Sequence, residues 1–178
     1  MKVMKHKVIV MGVSGCGKST LAAGVALALD CPLIEGDELH LPESQARMRQ
    51  GIALEDGDRE PWLDRVGDVL ATQRSSAVAT CSALKRRYRE RLRAKVPGLR
   101  FVFVDIAEAD ATRRVSSRPG HLFPASLVAS QFAALESPVG EPGVLRVDAA
   151  LGPQAQLDAV LGWLASPTTS PSNQPSHA

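Results

Sequence analysis

An α/β fold with a parallel, five-stranded sheet flanked by helices is what the sequence predicts, on three observations. Short apolar or β-branched runs alternate with segments of helical periodicity along the chain. The first run passes through a glycine-rich loop straight into a helix. With 178 residues, 44% hydrophobic and 22% charged, the chain has the size of one domain, able to bury about 70% of its unfolded surface.

Each element has its own signal. Lys7–Met11 is a β-branched run and reads as a buried first strand. Ser19–Leu29 is alanine-rich and helical, and Pro32–Glu35 is a brief second strand. Glu43–Gln50 reads as a helix. Pro61 suits the first position of a helix to Arg74, with Leu63, Val66 and Leu70 at helical spacing. Ala77–Cys81 is the third strand. Leu84, Tyr88 and Leu92 form one helical seam, with Lys85 and Arg89 together on another face. Arg100–Val104 is the fourth strand, and Asp110 suits the cap of a helix to Ser117. Pro124–Leu135 is helical, Val144–Val147 is the fifth strand and Gln154–Leu164 is the closing helix. Residues 1–165 form the domain; 166–178 (SPTTSPSNQPSHA) cannot build a core and are expected to be a disordered tail.

Composition excludes several classes. Cys16, Cys31 and Cys81 cannot all pair and form no C-x-x-C, which argues against a disulfide framework or zinc ribbon and for a reducing, cytoplasmic setting. No apolar run reaches the roughly 18 residues of a membrane span, so no membrane partner is expected. Charge is uneven: Glu35–Asp68 holds ten acids against four bases, and Lys85–Arg100 eight bases against one acid. The basic run carries a single aromatic, Tyr88, on the apolar seam. No stacking platform for nucleic acid results, and none is expected as a partner. Arg86, Arg87, Arg91 and Arg93 read as surface charge.

Gly12-Val13-Ser14-Gly15-Cys16-Gly17-Lys18-Ser19, followed by Thr20, fits G-x-x-x-x-G-K-[ST]. Glycines let the backbone wrap an anion, and the helix that follows adds its positive end. Lys18 reaches the β- and γ-phosphates, and the Ser19 hydroxyl ligates Mg²⁺. Strand, loop and helix in that order predict a three-layer P-loop nucleoside-triphosphate hydrolase fold that binds ATP or GTP. No guanine-reading N-K-x-D is present, and the size suits a small kinase. Cys16 sits in the loop, as a filler or a reactive thiol.

The acceptor side follows from position. Glu35-Gly36-Asp37, with His40 after it, closes the second strand at the carboxyl edge where ligands bind, so Asp37 can take a proton from an attacking hydroxyl. Arg59, in Asp56-Gly-Asp58-Arg59-Glu-Pro-Trp62, stands at a helix start and can clamp a carboxylate. Trp62 reads as a packing residue, and Lys85 lies near the carboxyl end of the third strand. Arg114 and Arg118, ahead of Pro119-Gly120, read as a lid at about 114–124 that brings arginines to the γ-phosphoryl charge. The third strand ends without the acid usual for magnesium; Ser19, phosphates and water must hold the ion, with Asp37 as an outer partner.

Together the motifs resemble the bacterial gluconokinases. The matching pieces are MGVSGCGKST (Met11–Thr20), EGDELH (Glu35–His40), M-x-x-G-x-x-L-x-D-x-D-R-x-P-W-L (Met48–Leu63), CSALKRRYRERLR (Cys81–Arg93), RPGHLF (Arg118–Phe123) and SQFAALESP (Ser130–Pro138), in family order. Leu122 stands where the family often has a bulkier, more aromatic residue. The resemblance implies a nucleoside-monophosphate-kinase-like fold with a small lid, often a homodimer. It implies transfer from ATP, with Mg²⁺, to the 6-hydroxyl of D-gluconate, giving 6-phospho-D-gluconate and ADP. Arg59, Lys85 and Arg89 are then candidates for the carboxylate, and Asp37, His40, His121 and Gln131 for the hydroxyls. Another small-molecule P-loop kinase, shikimate-like or nucleotide-directed, is the alternative; the CSALK and GH-x-F motifs speak against it.

Overall fold

The computed structural model describes residues 4–118 and 124–166. His121, with the rest of the Pro119–Phe123 segment, and the tail beyond Ser166 lie outside the described residues.

Five strands form one parallel sheet in the order β2-β3-β1-β4-β5: β1 Lys7–Met11, β2 Leu33–Glu35, β3 Ala77–Thr80, β4 Arg100–Asp105 and β5 Val144–Asp148. Helices cover both faces: α1 Lys18–Ala28, α2 Pro42–Arg49, α3 Asp56–Thr72, α4 Arg86–Lys95, α5 Glu108–Ser116, α6 Val128–Ala134 and α7 Pro153–Ala165. Short 3₁₀ turns span Gly36–Leu39 and Ala125–Leu127.

Strand alternation sorts the core into two layers. Val8 and Val10 face α1 and α7, with Val102, Val104, Val25 and Val160. Ile9 and Met11 face α3 and α4, with Trp62, Leu63, Tyr88 and Leu92. The small side chains of Ala77 and Ala79 lie in that second layer with the large Trp62, Phe101 and Phe103. The chain leaves β1 toward β2 and later crosses from β3 to β4 on the other side, so a crevice opens at the carboxyl ends around β1.

Three helix starts differ from expectation. Helix α3 begins at Asp56, not Pro61, because Glu55 and Asp58 form a reciprocal capping box. Pro61 then sits inside the helix, where it forgoes one hydrogen bond. Helix α4 begins at Arg86, with Lys85 as its cap residue, and Leu84 packs from the preceding loop. Asp110 does not cap α5; Ala107 holds that position and Asp110 pairs with Arg113.

Charge asymmetry has a structural explanation. Acids of α3 face bases of α4: Arg91 binds Asp64 at 2.8 Å and Lys95 binds Asp68 at 2.6 Å. Arg87 and Lys85 share Asp56. Four of the eight bases of the run, Lys85, Arg87, Arg91 and Lys95, are spent on this helix pair.

Candidate active site

At Gly12 φ is 143°, and a Cβ there would come within 2.8 Å of the Val104 carbonyl. Only glycine lets the loop turn so tightly under β4. Gly17 caps α1 without a side-chain bond, leaving the helix N-terminus directed at the loop. Lys18 Nζ lies on the carbonyls of Gly12 (3.0 Å) and Val13 (2.9 Å). Cys16 is buried with its Sγ packed under Gly12, so it is a filler and not an accessible thiol.

The Ser19 hydroxyl donates to Glu35 Oε2 at 3.0 Å. Thr80, in register with Glu35 across β2 and β3, donates to the same oxygen at 2.7 Å. The amide of Gly36 in turn donates to Thr80 Oγ1 at 3.1 Å. A Cβ on Gly36 would lie 2.0 Å from the Thr80 carbonyl, so no other residue permits this crossing. Glu35 is therefore the carboxylate at the Ser19 hydroxyl, the position expected of Asp37. The local signal is that β3 ends in Thr80 where an acid is usual; the sheet order then places β2, which ends in an acid, beside it. A hydroxyl beside one carboxylate is a hard oxygen set that fits Mg²⁺ completed by phosphate oxygens and water. Among the described residues no group of three or more His, Cys, Asp or Glu is clustered for a metal.

One cavity joins the loop to the acceptor candidates. Ser14, Lys18, Ser19 and Thr20 line it with Asp37, His40, Arg59, Arg118 and Gln131. Asp37 rises from the 3₁₀ turn after β2, exposed to the cavity. His40 stacks on Trp62, ring centroids 4.1 Å apart, and Trp62 Nε1 donates to the Gly36 carbonyl at 2.7 Å. Burial, with help from the Arg59 charge and against that of Asp37, pushes the His40 pKa down to about 4. Its Nδ1 is buried with no partner among the described residues. Arg59, in the first turns of α3, also lines a neighbouring cavity of about 410 Å³ with Lys85, Asp56 and Tyr88. Lys85 sits there, bonded to Asp56 at 3.0 Å, and not in the loop cavity.

Arg89 is a correction. It is fully buried, and every donor is used. Nε and one terminal nitrogen hold Glu141; the others bond the carbonyls of Ala83, Leu84 and Glu136. No donor is left for a substrate. Arg89 instead anchors the loop ahead of α4, where Ala83 has φ 46°, a left-handed conformation that costs roughly 1–2 kcal/mol.

Arg114 is a second correction. Its guanidinium points at the outer side of the loop, 3.4 Å from the Gly15 carbonyl and 3.3 Å from the Ala149 carbonyl. It lines a separate cavity of about 310 Å³ with Gly24, Ala149, Pro153 and Leu157, and is not in the cavity lined by Lys18 and Ser19. Arg118 lines both cavities. Gln131, from α6, is nearly buried and accepts the Ser14 amide on Oε1 at 2.6 Å; only its Nε2 is open to a ligand.

Comparison with known proteins agrees with this geometry. The family model described as shikimate kinase matches residues 14–126. A gluconokinase of Gluconobacter oxydans is 43% identical over 86% of this chain and 88% of its own. The thermosensitive gluconokinase of Escherichia coli is 40% identical over 79% of this chain and 77% of its own. The crystal structure of a gluconokinase from Sinorhizobium meliloti superposes with a TM-score of 0.83 at 44% identity, covering 90% of this chain and 92% of that one. The chain carries a shikimate kinase-family domain and, within that fold, belongs to the gluconokinase family.

Proposed function

We propose that the chain is a gluconokinase: an ATP-dependent sugar-acid kinase that phosphorylates the 6-hydroxyl of D-gluconate. One observation carries the reading: the P-loop lysine and the acceptor candidates Asp37, His40 and Arg59 line the same cavity. Phosphoryl transfer needs little covalent chemistry from protein; it needs positioning and charge. The open helix N-terminus and Lys18 bind the phosphates, and the cavity between Arg114 and Leu157 takes the nucleoside. Ser19 and Glu35 would hold Mg²⁺, which would neutralise phosphate charge as it develops.

A carboxylate oxygen of Asp37 accepts the proton of the attacking hydroxyl. Neutral His40, unable to carry charge near pH 7, offers hydrogen bonds suited to a polyol. Arg59 supplies the cation for the acid end, with Lys85 in the adjoining cavity. A shikimate-type acceptor is the second reading, favoured by the family model that matches residues 14–126.

Asp37→Asn tests the site. We expect kcat to fall at least about 100-fold while the ATP KM stays within about threefold. Unchanged kcat would reduce Asp37 to a turn residue.

A further inference from the structure

Gln131 is tied to the P-loop by a bond that the loop's own chemistry does not require. The Ser14 amide belongs to the row of N–H groups that faces anions, yet its acceptor is a side chain 117 positions away. Because that donor is a backbone N–H, the atom it meets must be Oε1, which fixes the orientation of the side-chain amide. Nε2 then carries two hydrogens on the opposite side. It donates to no acceptor among the described residues, although the Gln131 side chain lines the cavity. The Ser14 hydroxyl in the same cavity is likewise buried without a partner.

The place in the loop indicates the ligand. Lys18 Nζ lies on Gly12 and Val13, immediately before Ser14. Since that ammonium serves the β- and γ-phosphates, Ser14 and Gln131 stand at the γ end.

We propose that Gln131 Nε2 donates to an oxygen of the phosphoryl group as it transfers, while Oε1 holds the loop at Ser14. The inference rests on the kinase reading above and adds a residue that touches the reacting group. It replaces the expectation that Gln131 binds a substrate hydroxyl. A neutral donor with its orientation fixed in advance stabilises charge that develops in transfer without reorganising.

Gln131→Glu separates the two ends, because a carboxylate still accepts the Ser14 amide but cannot donate. Gln131→Met removes both. Turnover with gluconate is measured together with affinity for MgADP alone and for MgADP with aluminium fluoride and gluconate, a mimic of the transferring group. Wild type is expected to bind the mimic at least tenfold tighter than MgADP. In both variants that gain disappears, and in Gln131→Glu kcat falls about 100-fold or more with MgADP affinity within threefold. A purely structural role, the Oε1 tie alone, predicts otherwise: Gln131→Glu retains the gain and keeps kcat within threefold, and only Gln131→Met loses it. That result overturns the proposal, as does a raised gluconate KM with unchanged kcat. Wild type inactive with gluconate overturns the acceptor assignment instead, and the same comparison is then made with whichever acceptor is turned over.

Discussion

His40 is held neutral because its ring is buried against Trp62, and this has a measurable cost in acid. Its folded pKa, about 4, lies below the ordinary value of 6.5. As pH falls through that window the unfolded chain takes up a proton that the folded chain refuses, so stability is full above it and declines toward pH 4. Between pH 7 and about pH 5.2 the contribution is on the order of 1–2 kcal/mol. Denaturant unfolding at the two pH values should show that loss in wild type and a smaller one in His40→Gln; equal losses would mean His40 titrates normally. Arg89 illustrates what a sequence pattern leaves out. Its spacing from Lys85 is visible, but its burial depends on Glu141, which arrives from the loop before β5. Arg89→Met leaves Glu141 with Arg93 alone and the Ala83, Leu84 and Glu136 carbonyls without that donor, and should cost about 1–3 kcal/mol of stability or more, read by denaturant unfolding. The gluconate KM of the folded enzyme should stay within about twofold, and a large rise at normal stability would return Arg89 to the substrate.

Helices and strands were legible where their signals are local. The P-loop and the strands are written in adjacent residues, as are Tyr88 and Leu92 of the α4 seam, whereas Leu84 packs from the preceding loop into the other core layer. The start of α3 was misplaced because Pro61 is a conspicuous start signal, whereas the capping box uses two acids, Glu55 and Asp58, instead of the more usual Ser or Thr. Glu35 was passed over because only the β2–β3 register brings it to Thr80 and Ser19. Thr80→Val keeps the shape and removes the hydroxyl that Glu35 and the Gly36 amide share. Stability should drop by about 1–3 kcal/mol, and the Mg²⁺ concentration for half-maximal rate should rise several-fold; neither change would leave Glu35 without a role at Ser19. The α3–α4 ion pairs are half exposed, and each is worth at most about 1 kcal/mol. Asp64→Asn should therefore lower stability by less than about 1 kcal/mol despite its contacts with both Arg91 and Lys95.

At the scale of the whole molecule, the sheet order explains why residues far apart in sequence meet. The loops after β1, β2 and β3 open at one edge, and α6 returns Gln131 to that edge from the far end of the chain. That return carries no local signature; the resemblance alone marks Gln131 in the sequence, and there as a partner of substrate hydroxyls. The central claim is that this edge couples an ATP site to an anionic polyol. ADP release with MgATP is the direct test, against gluconate, other aldonates, shikimate and nucleoside monophosphates. Turnover with gluconate, abolished in Lys18→Ala, is the predicted result. Turnover with shikimate or a nucleotide and none with gluconate would contradict it.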